Sequence, residues 1–339
     1  MNADNRANAS RAWLRPLSAV YGLVLRLRNA AYDRGWLPQR RAAVPVISVG
    51  NITVGGTGKT PFVIELARRL IGWDRRPAIL TRGYRGSAEQ PADEVLELQD
   101  ALPDVPIVVN ADRVAGAAEA HLRHGADCLV LDDGFQHRRL ARQLDIVLID
   151  ALDPFGGGHT LPAGRLREPL SGLRRADLVV VTRANQAAAQ EVRAVVDALQ
   201  SLVGDQPVIE ATVEIAGLAG LDGTTQDPES LRGQRVLAVC GIGNPRSFLL
   251  SVRALTANVQ PMHFADHHHY TSSDVRQIRA AATQFNADWV VTTRKDWVKL
   301  APGWPPDGPR VVRLDMRPGV RAGEDALNAA LRQALERQD

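Results

Sequence analysis

From Val44 onward, short β-branched apolar runs alternate with stretches whose apolar positions recur every three to four residues, the pattern of βαβ units feeding a parallel sheet. The runs Pro45 to Val49, Ala78 to Thr81, Ile107 to Val109, Cys128 to Leu131, Ile146 to Ile149 and Leu178 to Val181 predict the strands of a doubly wound core. Phe62, Val63, Leu66, Leu70 and Ile71 form one helical stripe, with Pro61 in its first turn, where a missing N–H costs nothing. A Gly/Pro-rich stretch from Asp153 to Pro169 predicts a long functional loop. After Ala184 a second series follows: a helix to about Leu202, strands near Val208 to Ile215 and Arg235 to Cys240, a helix after Pro245, and a strand at Trp289 to Thr292. The expected α/β organisation is a helical segment over 1–43, a mostly parallel core over 44–184, and a second, smaller α/β lobe over 185–339.

The N-terminal segment has a different pattern. Trp13, Leu17, Val20, Val24, Leu27 and Ala31 fall on one helical face, Arg15 and Arg26 lie opposite, and Trp13, Tyr21 and Trp36 suit interfacial depth. The two arginines bracket only ten residues, whereas a spanning helix needs about 20 apolar positions. No small-residue cleavage site follows. An amphipathic helix is predicted, lying on a membrane surface or packed on its own domain.

Composition narrows the class. At 45% hydrophobic and 23% charged residues, the 339-residue chain is neither disordered, nor collagen-like, nor a multi-span membrane protein. Net charge is only +3 and nearly all the cations are arginine, which suits forked recognition of phosphate and carboxylate and does not require nucleic acid. Cys128 and Cys240 sit inside apolar runs and read as buried free thiols of a reducing compartment.

The chemistry begins at Thr53-Val54-Gly55-Gly56-Thr57-Gly58-Lys59-Thr60, between a predicted strand and a predicted helix. Glycines there let backbone N–H groups converge on phosphate, Lys59 reaches the β- and γ-phosphates, and Thr60 offers its hydroxyl to Mg²⁺. The usual first glycine is absent, since Thr53 holds its place. The expected fold is therefore P-loop NTPase-like, with ATP and Mg²⁺ as cofactors. Asp132 and Asp133, at the end of a buried strand, supply the acidic group that a metal-bound triphosphate requires. Asp266-His267-His268-His269 offers a carboxylate-histidine pair for the acceptor, although three solvated loop histidines are the alternative. Arg82 with Tyr84, and the Gly164 to Pro169 segment with Arg167, add cations near the carboxyl edge of the sheet, where ligands bind.

These blocks, together with Asp112-Arg113-Val114, Leu131-Asp132-Asp133-Gly134-Phe135-Gln136-His137, Leu161 to Pro169, and Val291-Thr292-Thr293-Arg294-Lys295-Asp296, resemble in one order the tetraacyldisaccharide 4′-kinases of lipid A synthesis. That resemblance implies transfer of the ATP γ-phosphate to the 4′-hydroxyl of an acylated glucosamine disaccharide 1-phosphate, giving lipid IV-A. It also implies roles: Asp93 as base with His267 as its partner, Lys59 and Asp133 in catalysis, and Thr60, Asp132 and Asp133 at the metal. Arg82, Tyr84, Arg113, Arg167 and Glu168 would contact substrate or phosphate. Ala92 and Val95 stand where the family's pattern has glycine and proline, and Arg294 where it has glutamate. The acylated substrate implies work at the cytoplasmic face of a Gram-negative inner membrane, anchored through residues 11–36, with no nucleic acid and no obligate protein partner. Two other readings compete: a membrane-associated P-loop ATPase switch, against which Val54 replaces the extra lysine of such loops, and a kinase of a small soluble sugar or nucleoside.

Overall fold

The computed structural model describes residues 12–83, 92–306 and 308–337. In chain order, helix α1 (Arg15–Asp33) precedes β1 (Val46–Asn51), α2 (Lys59–Ile71), β2 (Pro77–Thr81), α3 (Asp93–Ala101), β3 (Ile107–Val109), α4 (Arg113–His124), β4 (Cys128–Asp132) and β5 (Leu144–Asp150). Next come β6 (Leu178–Thr182), α5 (Ala189–Val203), β7 (Val208–Gly220), β8 (Thr225–Gln226), β9 (Val236–Cys240), α6 (Pro245–Leu255) and β10 (Val259–His263). The chain closes with α7 (Ser272–Phe285), β11 (Trp289–Thr293), α8 (Arg294–Leu300), β12 (Val311–Ala322) and α9 (Glu324–Glu336). The described residues form two compact units: 12–83, 104–212 and 318–337 make the first, and 92–103, 213–306 and 308–317 the second.

In the first unit the strand order is β7-β6-β5-β1-β4-β2-β3, with parallel ladders from β7 to β3. Strands β1, β2, β4, β5 and β6 are buried at every position, as expected for a sheet covered on both faces. β1 lies between β4 and β5, so the connections turn opposite ways around it. That is the switch point where open α/β sheets bind ligands. In the second unit β10, β9, β11 and β12 pair in parallel, and β9 and β11 are fully buried. β10 is the edge strand, which explains how it accommodates Pro261. The loop Gly241 to Asn244 joins β9 directly to α6, the simple strand-to-helix turn that its sequence suggests.

Helix α1 reverses the arrangement usual for an amphipathic surface helix. Its buried positions are Ser18 and Gly22, and small or polar groups make its contacts with the rest of the first unit. Ser18 Oγ accepts from the Ala163 N–H at 2.8 Å, and the Ser18 carbonyl accepts from Thr160 Oγ1 at 2.8 Å. Arg28 donates to the Gln136 carbonyl at 2.8 Å, and Arg138 reaches Asp33 at 2.7 Å. The apolar stripe faces outward, with Trp13, Leu17, Val20, Val24 and Leu27 each more than half exposed.

Close approach at one glycine sets the geometry under the expected phosphate site. A Cβ on Gly50, in β1, would stand 2.5 Å from Phe135 Cβ and 2.8 Å from the Phe135 nitrogen. Phe135 is completely buried, so neither segment can give way easily. Gly50→Ala should therefore destabilise the protein by about 1–3 kcal/mol through overpacking, seen as a lower Tm. An unchanged Tm would contradict this close contact.

Candidate functional site

The phosphate loop leaves β1 at Asn51 and enters α2 at Lys59. Gly55 and Gly58 have φ of 129° and 86°, and a Cβ added at either meets nothing within 4 Å. The loop is thus open at these two glycines and sits at a helix N-terminus, where the helix dipole favours an anion. Thr53 and Thr57 are buried within the loop, and the Val54 N–H is held by the Arg165 carbonyl at 2.8 Å. Asn51 Nδ2 donates to the Thr53 carbonyl at 2.8 Å and to Thr57 Oγ1 at 3.0 Å. From the end of β6, Thr182 Oγ1 donates to the Thr57 carbonyl at 3.1 Å and Arg183 Nη2 donates to the Gly56 carbonyl at 2.7 Å. Arg183 is buried, has φ of 60°, and pairs with Asp150 at 2.6 Å. Burial pulls its guanidinium below its ordinary value against the opposing charge of Asp150.

Asp132 ends β4 beside β1, in register with Val49, and Asp133 follows in a left-handed conformation with φ of 55°. Arg167 Nη1 donates to both Asp133 oxygens, at 2.8 and 2.7 Å, and Lys59 Nζ lies 3.5 Å away. Desolvation pushes the Asp133 carboxyl up, but Lys59 and Arg167 outweigh it and hold the group below the ordinary aspartate value. Thr60, Asp132 and Asp133 offer only hard oxygen donors at this edge, which fits Mg²⁺ and not a softer ion. Among the described residues no group of three or more His, Cys, Asp or Glu side chains is placed to hold a metal ion.

Arg113 opens α4 behind the N-cap Asp112, and its Nη1 donates to the Asn110 carbonyl at 2.7 Å. Burial lowers its guanidinium, opposed by the charges of Asp132 and Asp133 and reinforced by Arg82. Glu168 is placed differently. It is buried, and its oxygens accept from Gln136 at 2.8 Å, Arg175 at 2.9 Å and Asn29 of α1 at 3.4 Å. Tyr84 lies outside the described residues.

In the second unit, α3 begins at Asp93, where the helix N-terminus favours a carboxylate. His267 Nδ1 lies 3.0 Å from Asp93 Oδ2, so residues far apart in sequence form one pair. Lys299 Nζ donates to the same oxygen at 2.8 Å. Desolvation pushes the Asp93 carboxyl up, and the hydrogen bond and charge of Lys299, with Lys295 and His267, bring it below its ordinary value. Arg294, the departure from the family's glutamate, clamps α3 from below: it bonds Asp100 and lies 2.7 Å from Asp315, while Arg313 reaches Asp100 at 2.7 Å.

The supporting residues Asn51, Asp150, Thr182, Arg183, Lys295 and Lys299 are absent from the sequence-based site. A threonine-arginine pair ending a buried strand on the phosphate edge is the signal that identifies two of them.

Two measurements check this geometry. Arg183→Met removes a charged hydrogen bond to the loop and should raise KM for the nucleoside triphosphate about tenfold or more; an unchanged KM would contradict its place beneath the loop. His137 is pushed down to about 4 by burial and by Arg113, Arg142 and Arg28. Its folded value lies below its unfolded value, so its contribution is complete above about pH 6.5 and is lost as pH falls toward 4. His137→Gln should flatten the fall in Tm across that window, and an equally steep fall would refute the assignment.

The family model described as tetraacyldisaccharide-1-P 4'-kinase matches residues 10–336. The tetraacyldisaccharide 4'-kinase of Anaeromyxobacter dehalogenans strain 2CP-C is 42% identical over 325 residues, covering 90% of this chain and 85% of that protein. The enzyme of the same name from Geobacter sulfurreducens is 41% identical over 303 residues, covering 84% and 82%. The crystal structure of LpxK from Aquifex aeolicus in complex with ATP superposes with a TM-score of 0.74 at 29% identity, covering 96% of this chain and 99% of that one. With a family match over nearly its whole length and an ordered phosphate loop at the switch point of its sheet, this chain belongs to the tetraacyldisaccharide-1-P 4'-kinase family.

Proposed function

We infer that the protein is an ATP-dependent lipid kinase that phosphorylates the 4′-hydroxyl of a tetraacyldisaccharide 1-phosphate to give lipid IV-A. The observation that carries this reading is the open phosphate loop with Lys59 and Arg167 gathered on Asp133, in a chain of this family. Lys59 and the loop N–H groups hold the β- and γ-phosphates. Arg82, Arg113 and Arg167 meet the charge on the transferred oxygens, and Tyr84 and Glu168 are assigned to the substrate side, Glu168 by ordering α1 and the loop around Arg167. Thr60, Asp132 and Asp133 would hold Mg²⁺, which neutralises charge on the bound triphosphate. Asp93, partnered by His267, receives the proton of the acceptor hydroxyl as the new P–O bond forms and the bond to the bridging oxygen of ADP breaks. The chemistry is chiefly positioning and charge stabilisation.

The membrane assignment rests on α1. No described helix is long and apolar enough to cross a bilayer. A helix that turns its small and polar side inward and its leucines, valines and tryptophan outward is suited to lie in an interface, with Arg15, Arg26 and Arg34 near anionic headgroups. The acyl chains keep the acceptor in the bilayer, so the protein works at the cytoplasmic face of the inner membrane, where ATP is available.

Two experiments test this reading. With Mg²⁺, radiolabelled ATP and the tetraacyldisaccharide 1-phosphate in detergent, wild type should label the lipid; Lys59→Ala and Asp93→Ala should each lose roughly a hundredfold or more in kcat. Labelling at the wild-type rate in either variant would remove that residue from the mechanism. Leu17, Val20, Val24 and Leu27 replaced together by Ser should abolish flotation with anionic vesicles while leaving the fold intact, because these side chains are exposed. Undiminished flotation would sink the membrane role of α1.

A further inference from the structure

The chain carries 41 lysine and arginine side chains, and only three are lysine: Lys59, Lys295 and Lys299. Lys59 belongs to the phosphate loop. The other two lie one turn apart on α8 and both reach the Asp93–His267 pair. Lys299 Nζ is 2.8 Å from Asp93 Oδ2, while Lys295 Nζ is 2.9 Å from Asp266 Oδ1 and 3.5 Å from His267 Nε2. A chain that meets nearly every other need for a cation with arginine keeps lysine at these two points. An ammonium is a compact point donor that can serve one carboxylate oxygen, where a guanidinium fork would span two.

Helix α8 is fixed from its buried side. Asp296 is completely buried and accepts from the Gly241 N–H at 2.9 Å and from Thr293 Oγ1 at 2.7 Å. Trp297 and Leu300 fill the core. Lys299 and Asp93 are almost equally buried, and Lys299 also lies over the Tyr270 ring at 6.0 Å. Removing one member of such a pair leaves an uncompensated charge. The titratable groups around Asp93 are Lys299 and Lys295 from α8, His267 and Asp266 from the segment after β10, and Glu94 beside it on α3, whose Oε1 is 4.0 Å from His267 Nε2.

We propose that Lys299 is a positioning residue for phosphoryl transfer: with His267 it fixes Asp93 Oδ2 and keeps the carboxylate ionised, leaving Oδ1 to accept the acceptor hydroxyl. This deepens the role given to Asp93 under Proposed function and rests on it. Lys295 holds the far side of the pair, since a hydrogen bond accepted by His267 Nε2 leaves Nδ1–H to donate to Asp93. A carboxylate held in this way is a weak base. It orients the hydroxyl and takes its proton late, on Oδ1, as a loose transition state permits.

The test compares pH profiles of kcat/KM for wild type, Lys299→Met, Lys299→Arg and Asp93→Asn, with Mg²⁺-ATP and the tetraacyldisaccharide 1-phosphate in detergent. Lys299→Met should move the acid limb upward by roughly one to three pH units and lower kcat without changing KM for ATP. Lys299→Arg, which keeps the charge, should leave the limb near its wild-type position. An unmoved limb in Lys299→Met with an inactive Asp93→Asn overturns the proposal and leaves Asp93 in its role; a fully active Asp93→Asn overturns both. Should the neutral variant not fold, carboxyl ¹³C NMR of the wild type, with the signal assigned through Asp93→Asn, decides the matter. A titration midpoint below the ordinary aspartate value of about 3.9 supports the proposal, and one at or above it overturns it.

Discussion

The Asp133 carboxylate is the constraint on which the phosphate site depends. It receives both Arg167, whose Nη1 donates to both of its oxygens, and the loop lysine, Lys59, from segments remote in sequence. Two cations at one spot would repel each other and disorder the loop. A carboxylate between them holds both in place, on a residue whose backbone is left-handed with φ of 55°. The two donors are thus fixed by the protein itself, the kind of prearranged charge that stabilises a developing anion with little reorganisation. Beneath the loop, Asn51, Thr182 and Arg183 occupy carbonyls and a hydroxyl of Thr53 to Thr57. The loop's inward groups are therefore satisfied by the protein while its outward side stays open.

The second unit solves an analogous problem for a buried carboxylate, Asp93. Asp93 at the start of α3 would be a costly buried charge by itself, and Lys299 and His267 offset that cost on one oxygen only. Arg294, Arg313, Asp100 and Asp315 hold the other end of α3, so the position of Asp93 is set from both ends of its helix. Arg294 is part of this clamp, bonded to Asp100 and 2.7 Å from Asp315.

Much of this was legible in the chain. The strands of the first unit announce themselves because a sheet covered on both faces needs unbroken apolar runs, and β3 falls at the residues its sequence marks. The helical stripe after Lys59 and the outward stripe of α1 carry clear periodicity. Other elements are silent for physical reasons. β10 is an edge strand with Gln260, Pro261 and His263 in five residues, and β12 carries Arg313, Arg317 and Pro318, so neither shows an apolar run. α3 is short and buries Asp93 and Glu97 along with Val95 and Leu98, which hides its face. Lys299 looks like a solvated helix position until the fold places it on Asp93. Arg183 looks like a strand end until β6 brings it under Gly56.

The outward apolar face of α1 and the polar loop of the first unit belong to one problem, since the acceptor is an amphiphile and the donor is soluble. Ser18 and Gly22 let α1 pack closely on the segment that leads to Arg167, so the helix with the outward apolar face and the arginine bonded to Asp133 share one scaffold. The central claim is that this scaffold delivers a phosphoryl group to one hydroxyl of a lipid disaccharide. ³¹P–¹H correlation NMR of the purified lipid product tests it most directly. The account predicts a new phosphomonoester coupled to H4′, formed in step with ADP; ADP and inorganic phosphate without that signal, or a phosphorus coupled to another sugar proton, would contradict it.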